Sequence, residues 1–214
     1  MVENLSAKPE EAQVAGPTGH VGPTLMALDV AFAHVGVVIL DYHESQWVPI
    51  HATVLNTEKD TARTSVRVAD DNFRRCQEMY AALVRIGEEY HAVAAVAELP
   101  SGGSKSAIAM AAMARGSAVF ACVASALKLV VECTTPGAGK KALGGVANAS
   151  KQDMMRAALA AYPGLRRWFQ PKRGKPDELE NEFEHVADAI GAFCAARGGV
   201  AEQLVVQLNT GGSR

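Results

Sequence analysis

Three short apolar runs near the start of the chain restrict the folds open to it. The runs cover about residues 25–31, 35–41 and 46–55, are rich in Val, Ile, Leu and Trp, and have turn-prone residues between them. Apolar runs of this length with turn residues between them are typical of strands joined by tight turns. The segment therefore predicts an antiparallel three-stranded meander.

Helical and extended patterns alternate after the meander. Apolar residues at helical spacing favour helices, whereas compact apolar runs favour buried strands. The predicted elements are, in chain order, a helix over 60–90, broken near Asp70; a strand over 91–100; an Ala/Met helix over 104–126; a strand over 127–136; a Gly/Lys loop over 137–149; a helix that begins with the capping box Ser150/Asp153; a basic segment over 163–177; and a last helix over 178–197. This order predicts an α/β domain with a mixed sheet, antiparallel in the meander and then continued through helical crossovers.

Length and composition suit one globular domain with flexible ends. The chain has 214 residues, 49% hydrophobic and 21% charged, and we predict a domain over 24–200 between a flexible arm (1–23) and a C-terminal tail (201–214). The arm has acids and prolines where a signal peptide needs a basic start and an apolar run.

The four cysteines form no C-x-x-C pair, so neither a zinc site nor a disulfide framework is predicted. We expect a reduced, cytoplasmic protein.

The apolar stretch 107–127 raises the question of a membrane span. Polar and small residues interrupt it at Arg115, Gly116, Ser117 and Ser125, and alanine is only weakly hydrophobic, so a buried helix is predicted and no membrane partner. The formal net charge of −2 gives no global attraction to a polyanion, so any nucleic-acid surface must be local.

Four polar side chains fall where the pattern predicts core or strand ends. Asp29 lies in the first strand, Glu98 ends the fourth, and His185 and Asp188 share one face of the last helix. If the first and fourth strands are neighbours, three carboxylates and an imidazole converge. Carboxylate and imidazole ligands without a thiolate favour a hard octahedral ion, Mg²⁺ or Mn²⁺. Two such ions about 4 Å apart would clamp the oxygens of a phosphodiester.

Each of these residues also has a structural interpretation. Asp29 can be a satisfied turn acid, Glu98 can cap the helix that starts near Ser104, and a single histidine such as His185 is more often a structural or surface residue. Their joint placement in one fold favours the catalytic interpretation.

The basic segment is a candidate nucleic-acid contact. It combines five cations with two aromatic residues, namely Arg166, Arg167, Lys172, Arg173, Lys175, Trp168 and Phe169. Cations can follow phosphates and aromatic rings can stack on unpaired bases, but an ordinary solvated loop with Trp168 in the core fits equally well. The glycine loops 102–106 and 137–142 do not match the phosphate loop of nucleotide hydrolases, and Ser104 is predicted to cap a helix.

The motifs together resemble the RuvC family of Holliday junction resolvases, within the RNase H-like nucleases. The resemblance covers about 24–196 and rests on the stretches "LMALDVAFAHVGVVILD", "VAAVAELPSGGSKSAIAMAAMARGSAVFACV", "TTPGAGKKALGGVANASKQDMMRAAL" and "EHVADAIGAF". The sequence departs from the family at Val30 and Ala31, where the family usually has Pro-Gly, and at Leu99 and Pro100, where it often has an aromatic residue. A divergent member, of the kind that phages encode, fits this pattern.

The resemblance implies an RNase H-like fold and a metal-dependent endonuclease. Asp29, Glu98, His185 and Asp188 would be both the catalytic and the metal-binding set, with Mg²⁺ or Mn²⁺, and cleavage would leave 5′-phosphate and 3′-hydroxyl ends. Lys140 or Lys141, together with Lys151, would contact phosphates near the cut. The implied partners are branched DNA, in particular four-way junctions, and a second copy in a homodimer.

Two other functions remain open from the sequence. An actin-like or sugar-kinase-like ATPase also opens with an acid-bearing meander, although such proteins usually need two related subdomains. A branched-DNA-binding relative that keeps the fold without cleavage is the other alternative.

Overall fold

The computed structural model describes residues 22–60, 67–99, 106–168, 171–172 and 175–211. Nearly all of the predicted flexible arm lies outside these residues. Ser104 and Arg173, for which we predicted a helix cap and a DNA contact, also lie outside them.

The predicted meander is confirmed. It consists of β1 (Thr24–Val30), β2 (His34–His43) and β3 (Gln46–Asn56), and both pairings are antiparallel. The turn between β2 and β3 places Glu44 and Ser45 at positive φ, which matches the right-handed twist of the flanking strands.

Two parallel strands extend the meander into a mixed five-stranded sheet of order β3-β2-β1-β4-β5. The added strands are β4 (Ala92–Glu98) and β5 (Val130–Thr134). The helices α1 (Val68–Glu89) and α2 (Ala107–Leu127) make the crossovers between parallel strands. The predicted fold class is therefore confirmed, and β1 and β4 are neighbours, as convergence of Asp29 and Glu98 requires.

The sheet carries a separate core on each face because strand side chains alternate between faces. On one face Met26, Leu28 and Val37 pack with α1 and α2 residues such as Met79 and Val119. The other face packs against the C-terminal helices.

The helices of the second face begin with α3 (Pro136–Gly144), where the sequence analysis predicted a loop. That prediction was wrong because the ends of the segment are strong helix signals. The Thr135 hydroxyl accepts a hydrogen bond from the Ala138 amide (3.3 Å), Pro136 occupies the first turn, and Gly145 ends the helix at a φ of 78°.

The remaining C-terminal elements are partly as predicted. Helix α4 (Lys151–Ala161) starts with the predicted Ser150/Asp153 capping box. A 3₁₀ helix (Pro163–Arg167) and a short hairpin of β6 (Pro171–Lys172) and β7 (Lys175–Leu179) follow. After a second 3₁₀ turn (Asn181–Phe183), the last described elements are α5 (Glu184–Ala195) and α6 (Val200–Gly211).

Helix α6 occupies residues predicted to be a short tail. Ala201 and Val205 on this helix are fully buried in the second core, and the Glu202 carboxylate accepts a hydrogen bond from the Trp47 indole (2.8 Å). Residues 201–211, predicted as tail, are therefore helical, and the apolar stripe of this helix completes the core.

Helix α2 is not the buried helix that its composition predicted. Its buried residues are Gly116, Val119, Phe120 and Val123, and Ile108 is 82% exposed. Ser106 caps it by accepting a hydrogen bond from the Ala109 amide (3.5 Å). Among the described helices, this one alone is long and apolar enough to cross a membrane by length and composition, unless the bent pair α5–α6 is counted as one span. Its apolar surface is therefore largely uncovered in the single chain.

Candidate active site

Strand pairing brings the two predicted acidic strand residues side by side. Asp29, near the end of β1, is in register with Glu98, the last residue of β4, in the parallel pair. Residues in register on neighbouring strands point to the same face of the sheet. Glu98 is 8% exposed, so its carboxyl group is almost entirely removed from water.

A glycine in β2 allows α5 to approach these acids. Gly36 pairs with Asp29 in the antiparallel register, and a Cβ at this position would lie 2.0 Å from the backbone carbonyl oxygen of His185. Only a residue without a side chain permits the first turn of α5 to lie so close to the strand. His185 Nδ1 then reaches Asp29 Oδ2 at 2.7 Å.

Asp188 lies one turn after His185 on α5, and α3 packs over the acids. Gly139 of α3 and Gly191 of α5 lie against each other, and a Cβ on Gly139 would come within 3.2 Å of Glu98 Oε2. The small residues therefore let α3 pack directly over Glu98. This packing brings Lys140 near enough to oppose the pKa rise of both Glu98 and Asp188.

The electrostatics of the site reflect crowded negative charge. Burial, with the Asp29 and Asp188 carboxylates adding to it, raises the pKa of Glu98 from 4.5 to about 8. Burial and the Asp29 carboxylate raise the pKa of Asp188 to about 6. The hydrogen bond that His185 donates to the Asp29 carboxylate raises the pKa of His185, against the effect of burial. At neutral pH Glu98 therefore carries a proton in the metal-free protein.

The residue types of this cluster suit a hard divalent cation. A cation would take over the role of the proton on Glu98 and relieve the repulsion among the three carboxylates. Within the described residues, however, no three acidic, histidine or cysteine side chains are grouped as metal ligands. Asp29 is instead hydrogen-bonded to His185, and metal binding by the four residues stays a prediction.

The surroundings of these residues differ from those that their structural interpretations require. Asp29 is bonded to His185 rather than to a turn amide, and Ser106 rather than Glu98 caps α2. His185 is not a surface histidine, since its side chain is 20% exposed.

The lysines predicted to contact DNA lie around the site in different ways. Lys140 lies beside the acids, whereas Lys141 is exposed on α3. Lys151 Nζ lies 2.6 Å from Glu184 Oε2, in the residue directly before His185. Both Lys140 and Lys151 are thus placed at the rim of the acidic cluster.

The predicted arginines lie elsewhere. Arg166 is exposed, and Arg167 donates a hydrogen bond to the carbonyl oxygen of Pro49 (3.1 Å) and stacks on Trp168. Pro49 lies in the half of the sheet away from Asp29, because its β2 partner Leu40 pairs with Leu25 at the start of β1. The side chains of Lys172 and Arg173 are outside the described part of the chain. DNA contacts by these four residues stay predictions.

Other polar residues around His185 were missed in the sequence. The His34 ring stacks on the His185 ring, with centroids 5.4 Å apart. Asn56 lies 2.6 Å from His34 Nδ1 and donates to Glu182 (2.7 Å). Glu184 directly precedes His185, so its proximity could have been inferred from the sequence. His34, Asn56 and Glu182 belong to three different elements and shared no sequence pattern.

Comparison with known proteins identifies the fold. No family model matches the sequence, and neither does any curated protein. RuvC from T. thermophilus in complex with a Holliday junction substrate aligns with a TM-score of 0.60 at 14% identity, over 81% of this chain and 92% of that chain. The Thermus thermophilus RuvC structure aligns with a TM-score of 0.57 at 14% identity, over the same shares. The yeast mitochondrial Holliday junction resolvase Ydc2 aligns with a TM-score of 0.51 at 14% identity, over 83% and 81% of the two chains. The chain therefore has the fold of RuvC-like resolvases, in a strongly divergent sequence.

Proposed function

We propose that this protein is a metal-dependent, structure-selective DNA endonuclease that resolves four-way junctions by paired nicks. The observation that carries the proposal is the meeting of Asp29, Glu98 and Asp188 at one end of the sheet, where burial and mutual repulsion raise the pKa of Glu98 to about 8. A structural acid in a stable core is usually neutralised by an internal partner. An acidic cluster that must hold a proton instead favours a cation site in a functional cleft.

The proposed cation ligands are Asp29, Glu98 and Asp188, with His185 as a further ligand or proton carrier. Mg²⁺ or Mn²⁺ bound there would supply the Lewis acid that activates water and stabilises charge on the phosphate. His185 is oriented for either role: when its Nδ1–H donates to Asp29, the Nε2 atom of the neutral ring presents a lone pair.

DNA would reach the site over its basic rim. Lys140 and Lys151 lie next to the acidic cluster, and Lys141, the next residue of α3, is exposed. Cations at this position can hold phosphates on either side of the cut. Arg166, Arg167, Lys172 and Arg173 are proposed as more distant backbone contacts.

We further propose that two copies associate through α1 and α2. A groove of about 750 Å³ lies between these helices and is lined mainly by apolar atoms of residues that include Tyr80, Ala118 and Val119. Phe73 on α1 is 65% exposed, and Ile108 on α2 is 82% exposed. Apolar side chains exposed in this number mark an interaction surface. A second copy would cover them and would supply the second active site that two nicks require.

The direct test uses labelled four-way, three-way, flap and linear DNA with Mg²⁺ or Mn²⁺. We expect paired cuts in four-way DNA, 5′-phosphate and 3′-hydroxyl products, and no cleavage with a chelator. Binding of junctions that is indifferent to Mg²⁺, with no cleavage under either ion, would identify a non-catalytic DNA-binding protein instead. ATP binding without DNA binding would favour the ATPase alternative.

The Asp29→Asn variant tests the assignment of the site. We expect cleavage to fall at least about 10³-fold while junction affinity stays within about twofold, because the amide cannot replace a carboxylate ligand. Asp70→Asn, on the exposed first turn of α1, is the matched control. Cleavage by Asp29→Asn at the wild-type rate would show that the site is elsewhere.

We propose a cytoplasmic location, which fractionation of the source cells would test.

A further inference from the structure

We infer that His34, Asn56 and Glu182 form a chain of positioning residues that holds the His185 ring in place, and this inference rests on the function proposed above. The His34 and His185 rings are nearly parallel, with an angle of 18° between their planes and centroids 5.4 Å apart. His34 Nδ1 lies 2.6 Å from Asn56 Oδ1, and Asn56 Nδ2 donates to Glu182 Oε1 at 2.7 Å. A continuous set of contacts therefore leads from Glu182 to the site.

The direction of the hydrogen bonds in this chain follows from its outer end. The Glu182 carboxylate only accepts hydrogen bonds, so the amide nitrogen of Asn56 must face it. The amide oxygen of Asn56 then faces His34 and accepts from its Nδ1–H. These bonds fix the plane of the His34 ring, and the stacked His185 ring has to lie parallel to that plane.

His185 is consequently held from two sides. On its inner edge Nδ1 bonds to Asp29, and on its flat face the ring rests on His34. A hydrogen bond at one edge leaves the ring free to tilt, whereas a stacked neighbour restricts the tilt. Partners that orient a ligand in this way commonly affect metal affinity or activity 10- to 100-fold.

The chain also joins three separate parts of the fold around His185. His34 starts β2, Asn56 ends β3 across from it, and Glu182 lies in the 3₁₀ turn that leads into α5. His34 and Asn56 are directly paired in the β2–β3 register, so the strands themselves set their spacing. The 3₁₀ turn that precedes α5 is thereby linked to the start of β2 and the end of β3.

His34→Ala removes both the stacking and the link to Asn56. In junction cleavage we expect kcat to fall about 10-fold with KM within about twofold, because DNA binding does not need the chain. His34→Phe keeps a flat ring over His185 and should restore kcat to within about threefold of the wild type. His43→Ala is the matched control, since His43 lies at the other end of β2 and its side chain is 72% exposed.

A spectroscopic readout separates positioning from a general loss of stability. In ¹H–¹⁵N correlation spectra of the imidazole rings, recorded without metal at a pH high enough that His185 is neutral, wild-type His185 should show one tautomer with the proton on Nδ1. Its signals are assigned by their loss in His185→Gln. In His34→Ala we expect these signals to broaden or to average between tautomers, and in His34→Phe to remain sharp.

Asn56→Leu gives a second route if His34→Ala fails to fold. It leaves both imidazoles in place but releases His34 from its anchor, so His185 signals should again broaden and kcat should fall about threefold. Unchanged His185 signals and unchanged kcat in both His34→Ala and Asn56→Leu would overturn the inference, as would a His34→Phe variant as impaired as His34→Ala.

These outcomes are distinct from failure of the proposed function. If wild-type protein cuts no DNA but the His185 signals respond to His34→Ala, the positioning chain stands and the nuclease assignment fails. If wild-type protein cuts junctions and neither readout responds, the positioning chain alone fails.

Discussion

Replacement of Glu98 by glutamine should stabilise the metal-free protein while it abolishes activity. The Glu98 carboxyl is 8% exposed and its pKa is raised from 4.5 to about 8, first by burial and then by Asp29 and Asp188. The folded state therefore binds this proton more tightly than the unfolded state does. The stabilising contribution of the protonated group is complete below pH 4.5 and is lost as the pH rises through 8.

The size of the effect follows from the two pKa values. Compared with a group that stays neutral at every pH, a rise in pKa from 4.5 to about 8 lowers the free energy of unfolding by about 5 kcal/mol at pH 9 and by about 3 kcal/mol at pH 7. Glutamine resembles the protonated acid in shape and is neutral at every pH. Relaxation around the ionised acid reduces this effect. We therefore expect the free energy of unfolding of Glu98→Gln to exceed that of the wild type by about 2 to 4 kcal/mol at pH 9, and by less than about 1 kcal/mol at pH 5.

Urea unfolding monitored by circular dichroism measures this difference. The titration is run in a chelator from pH 5 to pH 9, with Glu44→Gln as the control because Glu44 is exposed in the β2–β3 turn. Added Mn²⁺ should stabilise the wild type by binding to its folded state. The difference in free energy of unfolding between Glu98→Gln and the wild type should then become smaller or change sign. A Glu98→Gln variant that is less stable than the wild type at pH 9 in chelator, or a difference independent of pH, would refute the reasoning.

Three further variants probe the packing around the site and the exposed helix. Gly36→Ala should destabilise the protein by about 3 kcal/mol in urea unfolding, since its Cβ would overlap the His185 carbonyl, whereas Gly137→Ala, with open space around it, should be neutral or stabilising. Equal stability of the two would contradict the close approach of α5. Ser150→Ala should lose about 1 kcal/mol of stability with the capping box, and no loss would show that α4 does not need it. Ile108→Glu should yield monomers in sedimentation at micromolar concentration, and an unchanged dimer would place the interface elsewhere.

The sequence predicted the parts of the fold that depend on local pattern. The meander and the parallel strands are continuous apolar runs, and Asp29 and Glu98 were recognisable because each is an acid in or at the end of such a run. The same patterns underlie the resemblance to RuvC-type resolvases, which the fold confirms although no family model or curated protein matches the sequence.

The parts that escaped prediction depend on packing between distant segments. The glycines and lysines of α3 indicated a loop, yet Gly139 serves close contact with α5, and the cap residues Thr135 and Gly145 were the available signals. Helix α6 escaped because its burial depends on the completed core. The contact between His34 and His185 arises only from the β2–β3 register and the entry of α5, which no local pattern encodes.

The bond between Asp29 and His185 joins residues 156 positions apart, and this separation has a consequence during synthesis. A ribosome adds about 5 to 20 residues per second, so about 8 to 30 s pass between the emergence of the first acid and that of the helix carrying the last. In the later part of this interval, once Glu98 has been made, the nascent chain holds β1 and β4 but lacks Asp188. If the acids act as proposed, a partly made or truncated chain is harmless to DNA, and cleavage begins only when α5 docks.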